Sequence, residues 1–186
     1  MTELMAAYGS NTSKRQMRLR CPTARPQGKF ILTGAKLVFR HYADLELGPQ
    51  EWEVPCALWS LNRADVEALK RYEGEGLRRG YYPEKILIRF AGRERECTLY
   101  LMRNGTGIAP PMDEYAHILR EGYQDFGLPI KYLNAALRHS WDAKEHSEMT
   151  RERRERAKAK GQRVLAQAPK QRLIVPPLST IASPST

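Results

Sequence analysis

Short apolar runs dominate the first hundred residues, and helical spacing takes over after them. Leu4–Tyr8 is apolar throughout and passes into Gly9-Ser10-Asn11, so it predicts a strand that ends in a tight loop. A short helix should follow, capped by Thr12 or Ser13 with Gln16 three residues after Ser13 as in a capping box, and stopped by Pro22 soon after Arg20. Between Phe30 and Leu61 the runs FILTG, AKLVF, ADLEL and VPCALWSL are broken by Gly34, Gly48-Pro49 and Pro55. These read as antiparallel strands, the stretch 53–61 being the most apolar.

Asn62 caps a predicted helix through about Tyr72, with Val66 and Leu69 at helical spacing, until Gly74 and Gly76 end it. Glu73 then falls at its C-terminal end. Lys85–Phe90 and Cys97–Met102 alternate well enough for a hairpin around Ala91-Gly92-Arg93. After Pro110-Pro111, residues Tyr115, Ile118, Leu119, Gly122 and Phe126 share one face of a helix over 113–126, which Gly127 ends. Pro129 opens another helix through about Arg138. Beyond Trp141 the apolar stripe fades. Residues 145–186 read as an appendage whose first half can form a solvated helix. There Glu152 and Arg156 stand at the favourable i, i+4 spacing, and Glu148 and Glu152 at the same spacing unfavourably. Pro169, Pro176 and Pro177 among Ser and Thr give its end a disordered composition. The organisation expected is one domain over 1–140 and a basic, partly helical, then disordered tail over 141–186.

Composition changes this picture little. With 186 residues, 41% of them hydrophobic and 28% charged, the chain suits one domain with a real core. The formal charge of +10 matters more for where it sits. Arg138 to Arg172 holds eleven Lys/Arg against five Asp/Glu, and 12–29 holds six basic residues and no acidic one. No nucleic-acid motif accompanies these segments and the tail interleaves few aromatics, so a weak nucleic-acid or acidic-partner contact is an accessory property at most. Cys21, Cys56 and Cys97 form no CxxC pair, and His41, His117, His139 and His146 show no metal spacing. The expectation is no metal and no cofactor. A reduced, soluble, cytoplasmic protein fits the widely spaced cysteines and the lack of any apolar run of signal-peptide or membrane-span length.

Three separated segments resemble one family: AAYGSN at 6–11, RYEG at 71–74 and LYLMRN at 99–104. Between them MRLRCPTA, GAKLVF, Ala43-Asp44, CALWSL and Gly80-Tyr81-Tyr82 follow in the same order. Together they resemble the γ-glutamylcyclotransferase family over roughly residues 4–138. YGSN or EG alone would arise by chance; their order around an LW-containing strand is specific. The resemblance implies a mixed α+β fold with a small, mostly antiparallel, barrel-like sheet flanked by short helices. It also implies that the loop after the first strand and the glutamate face one cavity. On that basis Glu73 is the catalytic carboxylate, the amides of Tyr8-Gly9-Ser10-Asn11 hold the glutamyl moiety, and Tyr82 lines the same cavity.

The chemistry stands on its own. A γ-glutamyl compound carries its nucleophile, the α-amine, placed to attack its own γ-carbonyl, so the reaction needs positioning, a proton shuttle and an anion site. A carboxylate whose pKa is brought toward the working pH by burial can move both protons. A glycine-containing loop leading into a helix offers backbone N–H groups and the positive end of a dipole. Each residue also has a plainer reading. Glu73 alone would be a solvated helix end, Gly9 to Asn11 a turn and cap, Tyr82 and Tyr100 core aromatics, and Asn104 a turn residue. Asp44 and Glu46, alternating on a strand, are either a second acidic group in the cavity or edge-strand charges. Arg78-Arg79 either reshape the cavity toward an acidic substrate or are solvated. Thr12 stands where the family often has leucine or methionine, and Pro55-Cys56 where it has a hydrophobic-glycine pair. Two other readings use the same fold: a catalytically silent small-ligand binder, and an acidic-partner or nucleic-acid binder.

Overall fold

A computed structural model describes residues 2–74, 80–103, 105 and 107–167. Seven strands and four α-helices are formed among them: β1 (Glu3–Ala7), α1 (Lys14–Arg20), β2 (Arg25–Thr33), β3 (Ala35–Arg40), β4 (Tyr42–Leu47), β5 (Glu53–Leu61), α2 (Arg63–Glu73), β6 (Tyr81–Phe90), β7 (Arg93–Met102), α3 (Asp113–Phe126) and α4 (Ile130–Gln167). Residues Met1–Ser147 form one compact unit and Glu148–Thr186 a second.

Five strands make one mixed sheet in the order β2-β5-β1-β7-β6, and β3 and β4 pair separately. β1 lies at its centre, antiparallel to β5 (Met5 opposite Trp59) and parallel to β7 (Met5 opposite Thr98). The continuous apolar runs of β1 and β5 follow from burial on both faces. Leu4, Ala6, Tyr8, Val54, Cys56 and Leu58 point to a core closed by Leu119 and Tyr123 of α3 and Leu133 of α4. Met5, Ala7, Ala57, Trp59 and Leu61 point to a second core closed by Met17 of α1 and Leu69 of α2. The sheet is curled rather than a closed barrel: a Cβ on Gly28 of β2 would lie 3.5 Å from the Phe90 ring of β6, yet no backbone pairing joins these edge strands among the described residues.

Local signals explain most boundaries. Asn62 and Asp65 form a reciprocal capping box at the start of α2, and Gly74 ends it at φ 68°. The β6–β7 hairpin turns through Ala91 and Gly92, with φ of 51° and 76°. Both hairpin strands are longer than the alternation marks. Pro55 is tolerated in β5 because the pairing with β1 has already ended at Ala57, leaving β2 as its partner. The fourth helix departs from expectation in being continuous: the helix expected to end near Arg138 and the solvated helix expected in the first half of 145–186 are one, running to Gln167. No glycine or proline occurs between Lys131 and Lys160, and Ala, Glu, Arg and Lys favour helix. Loss of the apolar stripe changes what a helix packs against, not whether it forms.

Candidate active site

The loop after β1 is built to be rigid. Gly9 O accepts from Thr12 N at 2.9 Å and from Thr12 Oγ1 at 2.8 Å, giving a single 3₁₀ turn over Ser10–Thr12. Thr12 is fully buried, and its hydroxyl is satisfied within the turn, so the polar residue in place of an aliphatic one is accommodated locally. The Trp59 indole N–H reaches Asn11 O at 2.9 Å from the far side of the sheet. α3 presses on the loop at Gly122, where a Cβ would stand 2.1 Å from Thr12 Oγ1 and 2.6 Å from Ser13 N.

The expected helix-dipole site is not formed as the sequence suggests. Ser13, not Thr12, caps α1, its side chain accepting from Gln16 N at 3.2 Å. The Gln16 side chain completes no box and accepts from Arg20 Nη2 instead, at 2.9 Å. Lys14 N is taken by Asp125 Oδ2 at 2.7 Å. The start of α1 is therefore occupied by α3, and the cavity meets the 3₁₀ turn.

That cavity has a volume of about 770 Å³ and is lined by Tyr8, Gly9, Ser10 and Asn11, by Glu73 at the end of α2, and by Arg20, Tyr81, Arg103 and Tyr115, among others. Glu73 is the carboxylate on its wall among the described residues. Asn11 Nδ2 donates to Glu73 Oε1 at 2.7 Å. Burial pushes the Glu73 carboxyl above its usual range, opposed by that hydrogen bond and by the Arg20 charge. Of the tyrosines that line the cavity, burial holds Tyr8, Tyr81 and Tyr115 in the protonated form. Burial raises Tyr8 and Tyr81 well above the usual phenol value and pushes Tyr115 up to about 12. Their hydroxyls are tied to backbone: Tyr8 donates to Tyr100 O at 2.5 Å, Tyr81 donates to Ala43 O at 2.6 Å, and Tyr115 accepts from Ala43 N at 3.3 Å.

The residues singled out from the sequence divide accordingly. Tyr8, Gly9, Ser10, Asn11 and Glu73 come together on the cavity wall; Tyr82 does not line it, and its neighbour Tyr81 does. Adjacent strand residues face opposite sides, and the Tyr82 ring packs against the first core with the Arg103 guanidinium 5.3 Å above it. Asp44 is 6% exposed and structural: Oδ2 accepts from Arg40 Nε at 3.0 Å, and Oδ1 from Leu45 N at 2.8 Å and Met102 N at 3.2 Å. Glu46 pairs with Lys36 at 3.3 Å on the surface. Tyr100 and His41 reach the cavity. No cluster of His, Cys, Asp and Glu fit to hold a metal occurs among the described residues, nor does a helix long and apolar enough to cross a membrane. Arg78, Arg79 and Asn104, and the tail beyond Gln167, lie outside the described residues.

Arg20 was missed because an arginine ending a short basic helix looks solvated. In the fold its Nη1 donates to Asn11 Oδ1 at 2.5 Å and Ser10 Oγ at 3.0 Å, and its guanidinium lies 3.8 Å from the Tyr72 ring centre. Tyr115 was read only as part of an apolar helical face and Arg103 only as part of the LYLMRN segment, since only the tertiary fold brings α3 and the end of β7 to this wall.

The chain is similar to known proteins. The sequence model described as gamma-glutamyl cyclotransferase, AIG2-like, matches residues 5–124. The human protein named gamma-glutamylcyclotransferase is 30% identical over 150 residues, 69% of this chain and 74% of its own length. Its mouse counterpart of the same name is 31% identical over 146 residues, covering 70% and 75%. A solved structure titled gamma-glutamyl cyclotransferase superposes with a TM-score of 0.63 at 26% identity, over 73% of this chain and 86% of that one. With its loop, glutamate and enclosing sheet in one unit, the chain belongs to the gamma-glutamyl cyclotransferase, AIG2-like family.

Proposed function

We propose that this protein cyclises a γ-glutamyl group to 5-oxoproline and releases an amine or amino acid, with Glu73 moving the protons. The observation that carries this reading is the Glu73 carboxyl, raised by burial in a cavity and held at one oxygen by Asn11 of the loop. With Oε1 engaged, Oε2 faces the reaction. As carboxylate, Glu73 takes a proton from the substrate's α-ammonium. The freed amine attacks the γ-carbonyl, a new C–N bond closes the five-membered ring, and the tetrahedral oxyanion forms. Glu73 then returns the proton to the departing nitrogen as the oxyanion collapses and the old C–N bond breaks, and the extra proton on the ring nitrogen leaves by the same carboxylate, so the lactam closes neutral and the amine departs as its ammonium. No water or cofactor enters the balance. Holding the substrate curled contributes most, since intramolecular attack in a good geometry has an effective molarity up to about 10⁵ M or more. The loop Tyr8–Asn11 binds the glutamyl part. Tyr82 contributes indirectly, by seating Arg103.

The test is a panel of γ-glutamyl-amino acids, γ-glutamylamines and glutathione assayed for 5-oxoproline, with Glu73→Gln beside the wild type. Turnover of at least one substrate is expected, reduced roughly 10²–10⁴-fold in the variant. Equal turnover by Glu73→Gln would remove Glu73 from the mechanism.

A further inference from the structure

We propose that Arg20 is a positioning residue that acts through Asn11: it fixes which end of the Asn11 amide faces Glu73, and so which Glu73 oxygen remains for substrate. Arginine has donors only, so the two contacts of Arg20 Nη1, at 2.5 Å to Asn11 Oδ1 and 3.0 Å to Ser10 Oγ, admit one amide orientation. Oδ1 must turn to Arg20, and Nδ2 is thereby delivered to Glu73 Oε1 at 2.7 Å. An ionised Glu73, which only accepts, also selects Nδ2; a protonated one does not, so among the described contacts Arg20 is what holds the orientation through both states. Reversed, its oxygen would oppose the ionised carboxylate and accept from the protonated one, favouring the wrong state at rest.

Arg20 is itself held from two sides. Gln16 Oε1 accepts from Nη2 at 2.9 Å and the Tyr72 ring lies beneath the guanidinium at 3.8 Å. Tyr72 precedes Glu73 on α2, so the same helix end that carries the carboxyl also grips its organiser. The other titratable groups facing Glu73 are Tyr8 at the end of β1, Tyr81 on β6, Tyr115 on α3 and Cys21 after α1, each coupled to its charge. Phenols and a thiol are neutral when protonated and anionic when not, so none of them supplies a cation; Arg40, His41 and Arg103 also line the cavity, and Arg20 is the cation that lowers Glu73.

The inference rests on Glu73 as proton shuttle for its kinetic arm alone. Carbon-13 NMR of glutamate-labelled protein, with the Glu73 resonance assigned by its loss in Glu73→Gln, follows the Glu73 titration without turnover. Four proteins form a cycle: wild type, Arg20→Met, Asn11→Ala and the double variant. Arg20→Met is expected to move the Glu73 midpoint upward and to lower kcat about tenfold or more with a smaller change in KM. In the Asn11→Ala background the same substitution should do much less. Arg20→Lys, still donor-only and cationic, should recover part of both effects. An unmoved midpoint in Arg20→Met, or equal effects with and without Asn11, overturns the proposal. If Arg20→Met fails to fold, Arg20→Gln replaces it; its amide offers Asn11 an acceptor as well as donors, and the same upward movement is expected. If Glu73→Gln keeps full turnover, the proton-shuttle reading fails while the titration cycle still judges Arg20.

Discussion

Withdrawing the Glu73 carboxyl from water opposes its charge, and Asn11 and Arg20 return only part of what burial removes. This residue therefore weighs on folding. Its folded pKa lies above the unfolded one, so between the two the native state keeps a proton that the unfolded chain has released. Stability falls as pH rises through that interval and stays lower above it. Glu73→Gln removes the ionisation. The variant should melt higher than the wild type near pH 7–8, and the gap should close toward about pH 3, where both states of the wild type are protonated. Thermal melts across that range read it directly; a gap independent of pH would show a carboxyl at ease in its surroundings. Glu73 was legible from RYEG in its sequence company. Arg20 was not, because its partners Asn11 and Gln16 are separated from Tyr72 and Glu73 by the whole of β2 to β5.

At the level of elements, the close approach of α3 to the 3₁₀ turn converts a small change into a site defect. Alanine is ordinarily a better helix residue than glycine by about 1 kcal/mol. At Gly122 the sign should reverse, since a methyl group would overlap Thr12 and the Ser13 backbone at 2.6 Å or less. Gly122→Ala is expected to lose about 1–3 kcal/mol in denaturant unfolding, and to lose turnover beyond the destabilised fraction because the loop that carries Asn11 is displaced. A stabilised, fully active variant would contradict this contact. The sequence marked Gly122 as one of an apolar helical face, without showing what lay opposite. Similar limits explain the neighbouring tyrosines: the hairpin was readable from Gly92 and alternation, but whether Tyr81 or Tyr82 turns inward depends on a register of one residue. α4 was read in two pieces, a helix through about Arg138 and a solvated helix in the first half of 145–186, and it is one because no breaker residue separates them.

For the whole molecule, the strands and their order in the family pattern were readable. The parallel β1–β7 pair and the open curl of the sheet were not, because neither leaves a local mark. The charge imbalance has a testable place. Every described residue lining the cavity falls within Met1–Ser147, whereas RERRERAKAK belongs to the second unit. Deleting 148–186 should leave 5-oxoproline formation within about twofold. If the basic segment contacts a polyanion, the deletion should also abolish any salt-dependent binding of DNA or RNA by the full chain. Loss of turnover on deletion would tie the second unit to the site.

The central position of β1 bears on how the chain is made. β1 is made before both of the strands it needs, β5 and β7, so residues 3–7 have no final place until about residue 102 has followed. At synthesis rates of about 5–20 residues per second, an apolar segment stays unpaired for several seconds or more. The cavity beside Glu73 cannot exist in the nascent chain before that, and the interval is when a holding chaperone would matter most.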